Sequence, residues 1–194
     1  MKKQQKKKRC PWVKETDALL TRYHDTEWGV PVRTDKKMFE FLVLEVFQAG
    51  LSWNIVLRKR ENFRRALSGF DFTTIARYAD RDVQRLIADE GIIRNRAKIL
   101  ATMQNAKAFL MLKKEFGSFA KYLRSTIGDK QIIHRLHVAG DYPSTSDEAI
   151  LLAKDLKKRG FSFLGPTVLY AHLQAIGAVH DHVVDCFRYK ETLQ

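Results

Sequence analysis

Cysteine is the scarcest informative residue in this chain of 194 residues: there are two, Cys10 and Cys186, near opposite ends. So low a count excludes a disulfide-built scaffold and favours a reducing compartment. Long apolar runs are also missing, and the start, Met1 to Arg9, has no apolar stretch of the kind a signal peptide needs. No membrane span is expected. There are no internal repeats and no Gly/Ser-rich linker, so the body reads as one domain, large enough for a real core. Common catalytic signatures are absent as well: no G-x-x-x-x-G-K-[ST] loop, no H-E-x-x-H and no Gly-x-Ser-x-Gly elbow.

What the chain has in excess is positive charge. The formal net charge is +13, and residues 1–9 carry six of these charges, leaving +7 on residues 10–194. A run of like charges of this kind is expected to be a disordered tail, serving polyanion binding or solubility alone. The surplus on the body points to a polyanionic partner, nucleic acid before membrane.

The pattern of apolar residues is helical almost throughout. Thr34 and Asp35 cap a helix to about Gln48, whose segment Phe41 to Phe47 is apolar nearly all round and therefore central. A second helix is expected from about Ser52 to Leu67. Asp80 caps a third that Gly91 ends as a left-handed terminator, and another runs from about Arg96 to Lys114. Thr145 to Glu148 forms a capping box ahead of a helix closed by Gly160, and Pro166 opens one that Gly177 ends. Gln131 to Val138 is extended at most.

Four residues suggest a metal site. His24 follows Cys10, and His182 precedes Cys186 by the interval that places two side chains on one face of a helical turn. Two thiolates and two imidazoles fill a tetrahedral zinc set and leave no place for water. Spacing alone equally accommodates buried free thiols, the plainer outcome, or one long-range disulfide. His180 competes as a ligand only weakly, and His134, His137 and His172 form no triad with it.

Glu45 is the carboxylate that stands out, since it lies inside the apolar segment 41–47. An ionised group there needs an arginine partner from another helix, or else it serves a cationic ligand or acid–base chemistry. The segment Gln48 to Trp53 follows, with Gly50, an apolar wedge candidate in Leu51 and a stacking face in Trp53; the plain alternative is an inter-helix turn packed in the core. Gly91 to Lys98 reads as a helix–hairpin–helix candidate in which backbone amides hold a phosphate and Arg94, Arg96 and Lys98 add charge. Its plain alternative is an αα-hairpin with a solvated basic face.

Together these blocks resemble the DNA-3-methyladenine glycosylase I (TAG) family. They comprise Cys10-Pro11-Trp12, Tyr23 to Pro31, Leu44-Glu45 with Gln48 to Trp53, Lys59 to Asn62, Gly91 to Ile99, Lys157 to Phe161, Gly165 to Thr167, and Asp181 to Val184 with Cys186. The resemblance implies an all-α helix–hairpin–helix glycosylase fold over residues 10–194, with two helical lobes and its terminal segments joined by one structural zinc at Cys10, His24, His182 and Cys186. It implies hydrolysis of the N-glycosidic bond of 3-methyladenine in double-stranded alkylated DNA by a monomeric, cytoplasmic bacterial enzyme without strand cleavage. Glu45 and Tyr23 would hydrogen-bond the flipped base, Trp53 would stack on it, and Trp12 and Trp28 would line or buttress the pocket. Gln48, Gly50 and Leu51 would meet the DNA gap, and the Gly91 hairpin the backbone. Leu20 departs from the pattern, standing where some relatives place a second pocket tyrosine, and His172 and His180 stand at positions not usually histidine. With no confident equivalent of the catalytic aspartate of other such glycosylases, a noncatalytic damage-binding protein and a glycosylase of shifted range remain alternatives.

Overall fold

The computed structural model describes residues 7–194. Its helices are α1 (Ala18–Thr26), α2 (Asp35–Gln48), α3 (Trp53–Ala66), α4 (Phe72–Ile75), α5 (Asp80–Ala88), α6 (Arg96–Phe116), α7 (Phe119–Ile127), α8 (Asp147–Lys158) and α9 (Pro166–Ala175). The only strands among the described residues are β1 (Ile132–Ile133) and β2 (Val179–His180), which pair in parallel. Pairing in the least regular segment is thus confined to two residues per strand, too little to change the all-α class.

Helix α2 is the centre of the molecule because its sequence allows no polar face. Every residue from Met38 to Phe47 is buried, including Glu40 and Glu45. It packs on α3 and α6 and also on α7 and α9. Helices α4 and α5 complete the first group against α6, and α8 completes the second between α7 and α9. The apolar core runs without a break through both groups.

Local chemistry accounts for most of the boundaries. Thr34 accepts the amide of Lys37 at the start of α2, Asn95 that of Lys98 at α6, and Ser146 that of Ala149 at α8. Two expectations are corrected. Asp80 is the first residue of α5 rather than its cap; Ala79 precedes it, and Asp82 accepts the Ala79 amide. Gly91 does not end that helix in the left-handed region. The helix stops at Ala88, and Asp89 accepts the Gly91 amide at 2.8 Å. Glycine fits closely there: a Cβ would lie 2.9 Å from Asp89 Oδ1 and 3.1 Å from Asn62 Nδ2, so both side-chain ends would have to shift.

Of the tail expected at 1–9, residues 1–6 lie outside the described residues. Lys8 and Arg9 are held to the body: the Lys8 carbonyl accepts the Phe187 amide at 2.9 Å, and Arg9 forms a forked pair with Asp25 at 2.8–3.2 Å. Both chain ends therefore meet beside α1. Gly177 makes the turn after α9 possible at that junction: its φ is +75°, and a Cβ would stand 2.8 Å from backbone atoms of Gly29, Val30 and Pro31.

Candidate active site and metal cluster

The four residues singled out for a metal converge. Ligand atoms of Cys10, His24, His182 and Cys186 all lie within 4.8 Å of one another, and all four residues are buried. Cys10 Sγ is 3.4 Å from His182 Nδ1, and Cys186 Sγ is 3.4 Å from His24 Nε2 and 3.6 Å from His182 Nδ1. Tetrahedral zinc with N and S ligands sets such atoms about 3.3–3.8 Å apart. The outward ring nitrogens are fixed too: His24 Nδ1 lies 2.8 Å from Asp25 Oδ1 and His182 Nε2 3.1 Å from the Trp28 carbonyl. These acceptors hold the protons on the far nitrogens and turn the inner ones, His24 Nε2 and His182 Nδ1, toward the two sulfurs. Both cysteines are free thiols, so the disulfide alternative is excluded. The hydrogen bond between them, then burial, pushes Cys10 far up, while the same bond, with His182 and His24, outweighs burial and holds Cys186 low. A divalent cation would relieve that conflict by favouring both thiolates. The arrangement can hold a metal ion.

The route to convergence differs from expectation. His182 and Cys186 are not on a helix; they follow β2 in a turn closed by the Cys186 amide on the Val183 carbonyl at 2.8 Å. His180 turns its Nε2 to the Tyr189 carbonyl, 2.8 Å away, and stays out of the cluster.

The cluster forms the back of an aromatic wall. Trp28 packs edge-on against His182 with ring centroids 4.6 Å apart, and Trp12 against both His24 at 5.3 Å and Trp28 at 5.0 Å. In front of that wall is a cavity of about 270 Å³ lined by Trp12, Tyr23, Trp28, Glu45, Gln48 and Trp53, together with Tyr142, Ala171 and Gln174. The first six are residues singled out from the sequence. A larger cavity of about 680 Å³ beside α8, bordered by Ile150, Phe161 and Phe163, is lined by no carboxylate.

Glu45 gives the smaller cavity its chemistry. It forms no ion pair among the described residues, and its Oε2 is buried without a hydrogen-bond partner. Burial alone pushes its carboxyl up to about 8. The arginine partner considered for Glu45 goes instead to Glu40, one and a half turns earlier: Arg60 Nε donates to Glu40 Oε1 at 2.8 Å while its other nitrogens fork onto Glu27. Burial raises Glu40, but Arg60, Lys37 and Arg64 outweigh it and hold the carboxyl below its ordinary range. Two carboxylates on one helix are thus treated oppositely, and only the unpaired one faces the cavity. Trp53 Nε1 is a second buried polar atom without a partner, and the Trp53 ring lies 5.2 Å from that of Tyr23. Burial first, then the Glu45 charge, raise the Tyr23 phenol well above its usual value, so it stays a donor.

The turn after α2 sits at the cavity rim, since its flanking residues Gln48 and Trp53 both line the cavity. Gly50 takes a φ of +79°, and Leu51 is 40 % exposed, so the packed-turn alternative is overturned for Leu51. Lys98 has a different place from the one expected. Its side chain is buried, and Nζ donates to the Phe47 carbonyl at 3.0 Å and the Ala49 carbonyl at 2.5 Å. It neutralises the end of α2 and braces the turn that carries Leu51, rather than facing solvent with Arg94 and Arg96. Those two arginines are exposed on the hairpin, Arg94 within 3.5 Å of Glu90. The hairpin is itself tied down by α3: Lys59 donates to the Glu90 and Gly91 carbonyls at 2.9 and 3.0 Å, and Asn62 to Gly91 at 3.0 Å.

A model of the methyladenine glycosylase family matches residues 12–189. The chain belongs to this family. Family relatives include DNA-3-methyladenine glycosylase 1 of Escherichia coli (strain K12), 43% identical over 181 residues, with 93% of this chain and 96% of the relative covered. The corresponding glycosylase of Haemophilus influenzae is 42% identical over 178 residues, covering 92% and 96%. Solved family structures superpose over most of the chain. One of 3-methyladenine DNA glycosylase I (TAG) has a TM-score of 0.88 at 45% identity, with 93% of this chain and 98% of that chain covered. The Staphylococcus aureus enzyme, solved for the structural basis of its 3-methyladenine recognition, has a TM-score of 0.85 at 35% identity, covering 88% and 91%. The helix–hairpin–helix glycosylase architecture is thereby that of this family member.

Three cavity-lining residues were not found from the sequence: Tyr142, Ala171 and Gln174. Ala171 and Gln174 lie three apart on α9, a spacing indistinguishable from ordinary helix packing. Tyr142 sits in the irregular segment before α8, where no periodicity marks a face. Leu20 is buried yet does not line the cavity, whereas Tyr142 brings a tyrosine ring to it from another part of the chain.

Proposed function

We propose that this chain is a monofunctional base-excision glycosylase that hydrolyses the N-glycosidic bond of 3-methyladenine in double-stranded alkylated DNA. The observation that carries this reading is Glu45, a buried carboxylate without a partner, facing a cavity walled by Trp12, Tyr23, Trp28 and Trp53. Burial favours the neutral carboxyl while nothing charged faces it, and a neutral base gives it no reason to ionise. A base carrying positive charge supplies the missing partner, and the aromatic walls favour the same cation.

The chemistry follows from the leaving group. Methylation at N3 makes the base cationic, so when the C1′–N9 bond breaks its electron pair neutralises the departing base. Water adds its oxygen to C1′ and releases a proton. No general acid is required on the base, and Glu45 and Tyr23 serve to select it, with Trp53 stacking on its face. Leu51 and Gly50 fill the gap in the duplex with Gln48 at its edge, while the Gly91 hairpin with Arg94 and Arg96 holds the backbone. Lys98 acts through the Leu51 turn.

The ion that suits two thiolates and two imidazoles is zinc in a structural role, because all four positions are protein ligands. We further propose residues 10–194 as the catalytic domain of a monomer acting in the bacterial cytoplasm, with the basic residues ahead of it as a polyanion-attracting arm. None of the described helices is long and apolar enough to cross a membrane. The test is incubation with methylated DNA and chromatography of the released bases, with Glu45→Gln alongside; turnover of that variant equal to the native protein contradicts the assignment.

A further inference from the structure

Gln174 is the one cavity-lining residue whose polar end is gripped from behind by a buried network. Its Nε2 donates to Asp181 Oδ2 at 2.6 Å. Asp181 is wholly buried, and the Tyr170 hydroxyl donates to the same oxygen while His134 Nδ1 lies 2.7 Å from the other. A carboxylate crowded by donors accepts hydrogen bonds, so it must face the amide's NH₂ end. The carbonyl end of Gln174 is thereby turned away from Asp181, and no described residue donates to it. Gln174 is half-buried in contact with the cavity, and Glu45 stands on the neighbouring helix that α9 packs against. The cavity is thus lined by the Glu45 carboxyl and by an amide whose NH₂ end is held by Asp181, which leaves its carbonyl end without a protein partner.

We infer that Gln174, held carbonyl-outward by Asp181, reads the exocyclic amino group of the base and selects 6-aminopurines over 6-oxopurines methylated at the same position. This rests on the glycosylase reading. An amino group at position 6 has two hydrogens, enough for Glu45 and Gln174 together. In 3-methylguanine that position is an oxygen, and its lone pairs would face the Gln174 carbonyl. Without the Asp181 grip the amide could turn its NH₂ forward and accept the oxo base, so Asp181, Tyr170 and His134 act as positioning residues.

The test uses the full chain and two free bases, 3-methyladenine and 3-methylguanine, titrated by tryptophan fluorescence, with release of both from methylated DNA measured in parallel. Gln174→Met should lower the adenine-to-guanine preference about tenfold, the loss expected for one oriented hydrogen bond. Asp181→Asn should lower the preference similarly. The double variant should lose no more than either single one, which is coupling that mere loosening of the fold would not produce. Because Asp181 adjoins His182, metal content is measured in each variant, and loss of preference must occur with metal retained. An unchanged preference in Gln174→Met overturns the inference alone. Failure of the native protein to bind or release either base overturns the glycosylase reading with it.

Discussion

At the scale of single residues, the candidate site is marked by contrast between like groups. Glu40 and Glu45 share a helix and a degree of burial, yet only Glu40 has its arginine. Glu45 therefore carries a pH signature that can be measured without substrate. Its folded-state value of about 8 lies above that of an unfolded carboxyl, so the protonated group contributes stability at low pH that is lost as pH rises through about 8. Glu45→Gln cannot ionise, so it should melt close to the native protein near pH 5 and above it at pH 9, as thermal unfolding at the two pH values would show. The same variant should lose turnover by about a hundredfold, the scale of removing one charge partner at a reaction centre. A gain in stability together with a loss of activity is what separates a functional carboxylate from a structural one. Glu45 was legible in the sequence because a charge within seven otherwise apolar residues is conspicuous. Gln174 was not, because an amide on a helix gives no signal until the fold places Asp181 behind it.

At the scale of elements, the helices were legible through their caps and breakers; the Asp80 cap was off by one residue, and the two other departures share one physical cause. Gly91 and Lys98 were assigned roles from local pattern, whereas each answers to a neighbour distant in sequence: Gly91 to the Asn62 side chain on α3, Lys98 to the end of α2. The Lys98 bond pattern yields a prediction that distinguishes bracing from phosphate contact. Arg94→Ala and Arg96→Ala should each weaken DNA binding and flatten its salt dependence by about one unit of slope. Lys98→Met should weaken binding to DNA containing an abasic gap through the displaced Leu51 turn while leaving the slope unchanged. Titrations at several salt concentrations read both quantities. Leu51→Ala should act in the same sense as Lys98→Met, with reduced affinity for the gapped site and little change in melting temperature, because its side chain is already 40 % exposed.

At the scale of the whole molecule, the Cys/His cluster ties the described terminal segments to the cavity. Cys10 and Cys186 come from the two termini, His24 from α1, and His182 from the turn after β2; their rings back the tryptophans that wall the cavity. The family resemblance implied that these four residues converge, and they do; what spacing alone suggested wrongly was the local geometry, since the His182–Cys186 interval belongs to an irregular turn and not to a helix. Removal of the ion should leave buried thiols in conflict and loosen both ends together. Cys186→Ser, or prolonged chelation, should lower the melting temperature and the zinc content measured by elemental analysis, with activity falling as a consequence. Full zinc retention in that variant would contradict the clasp. The central claim, that the unpartnered carboxylate in an aromatic cavity selects a cationic base for excision, is tested most directly by incubating the native protein with methylated duplex DNA. Chromatography should then show free 3-methyladenine and intact strands bearing abasic sites. Binding to abasic DNA with no base released would contradict it.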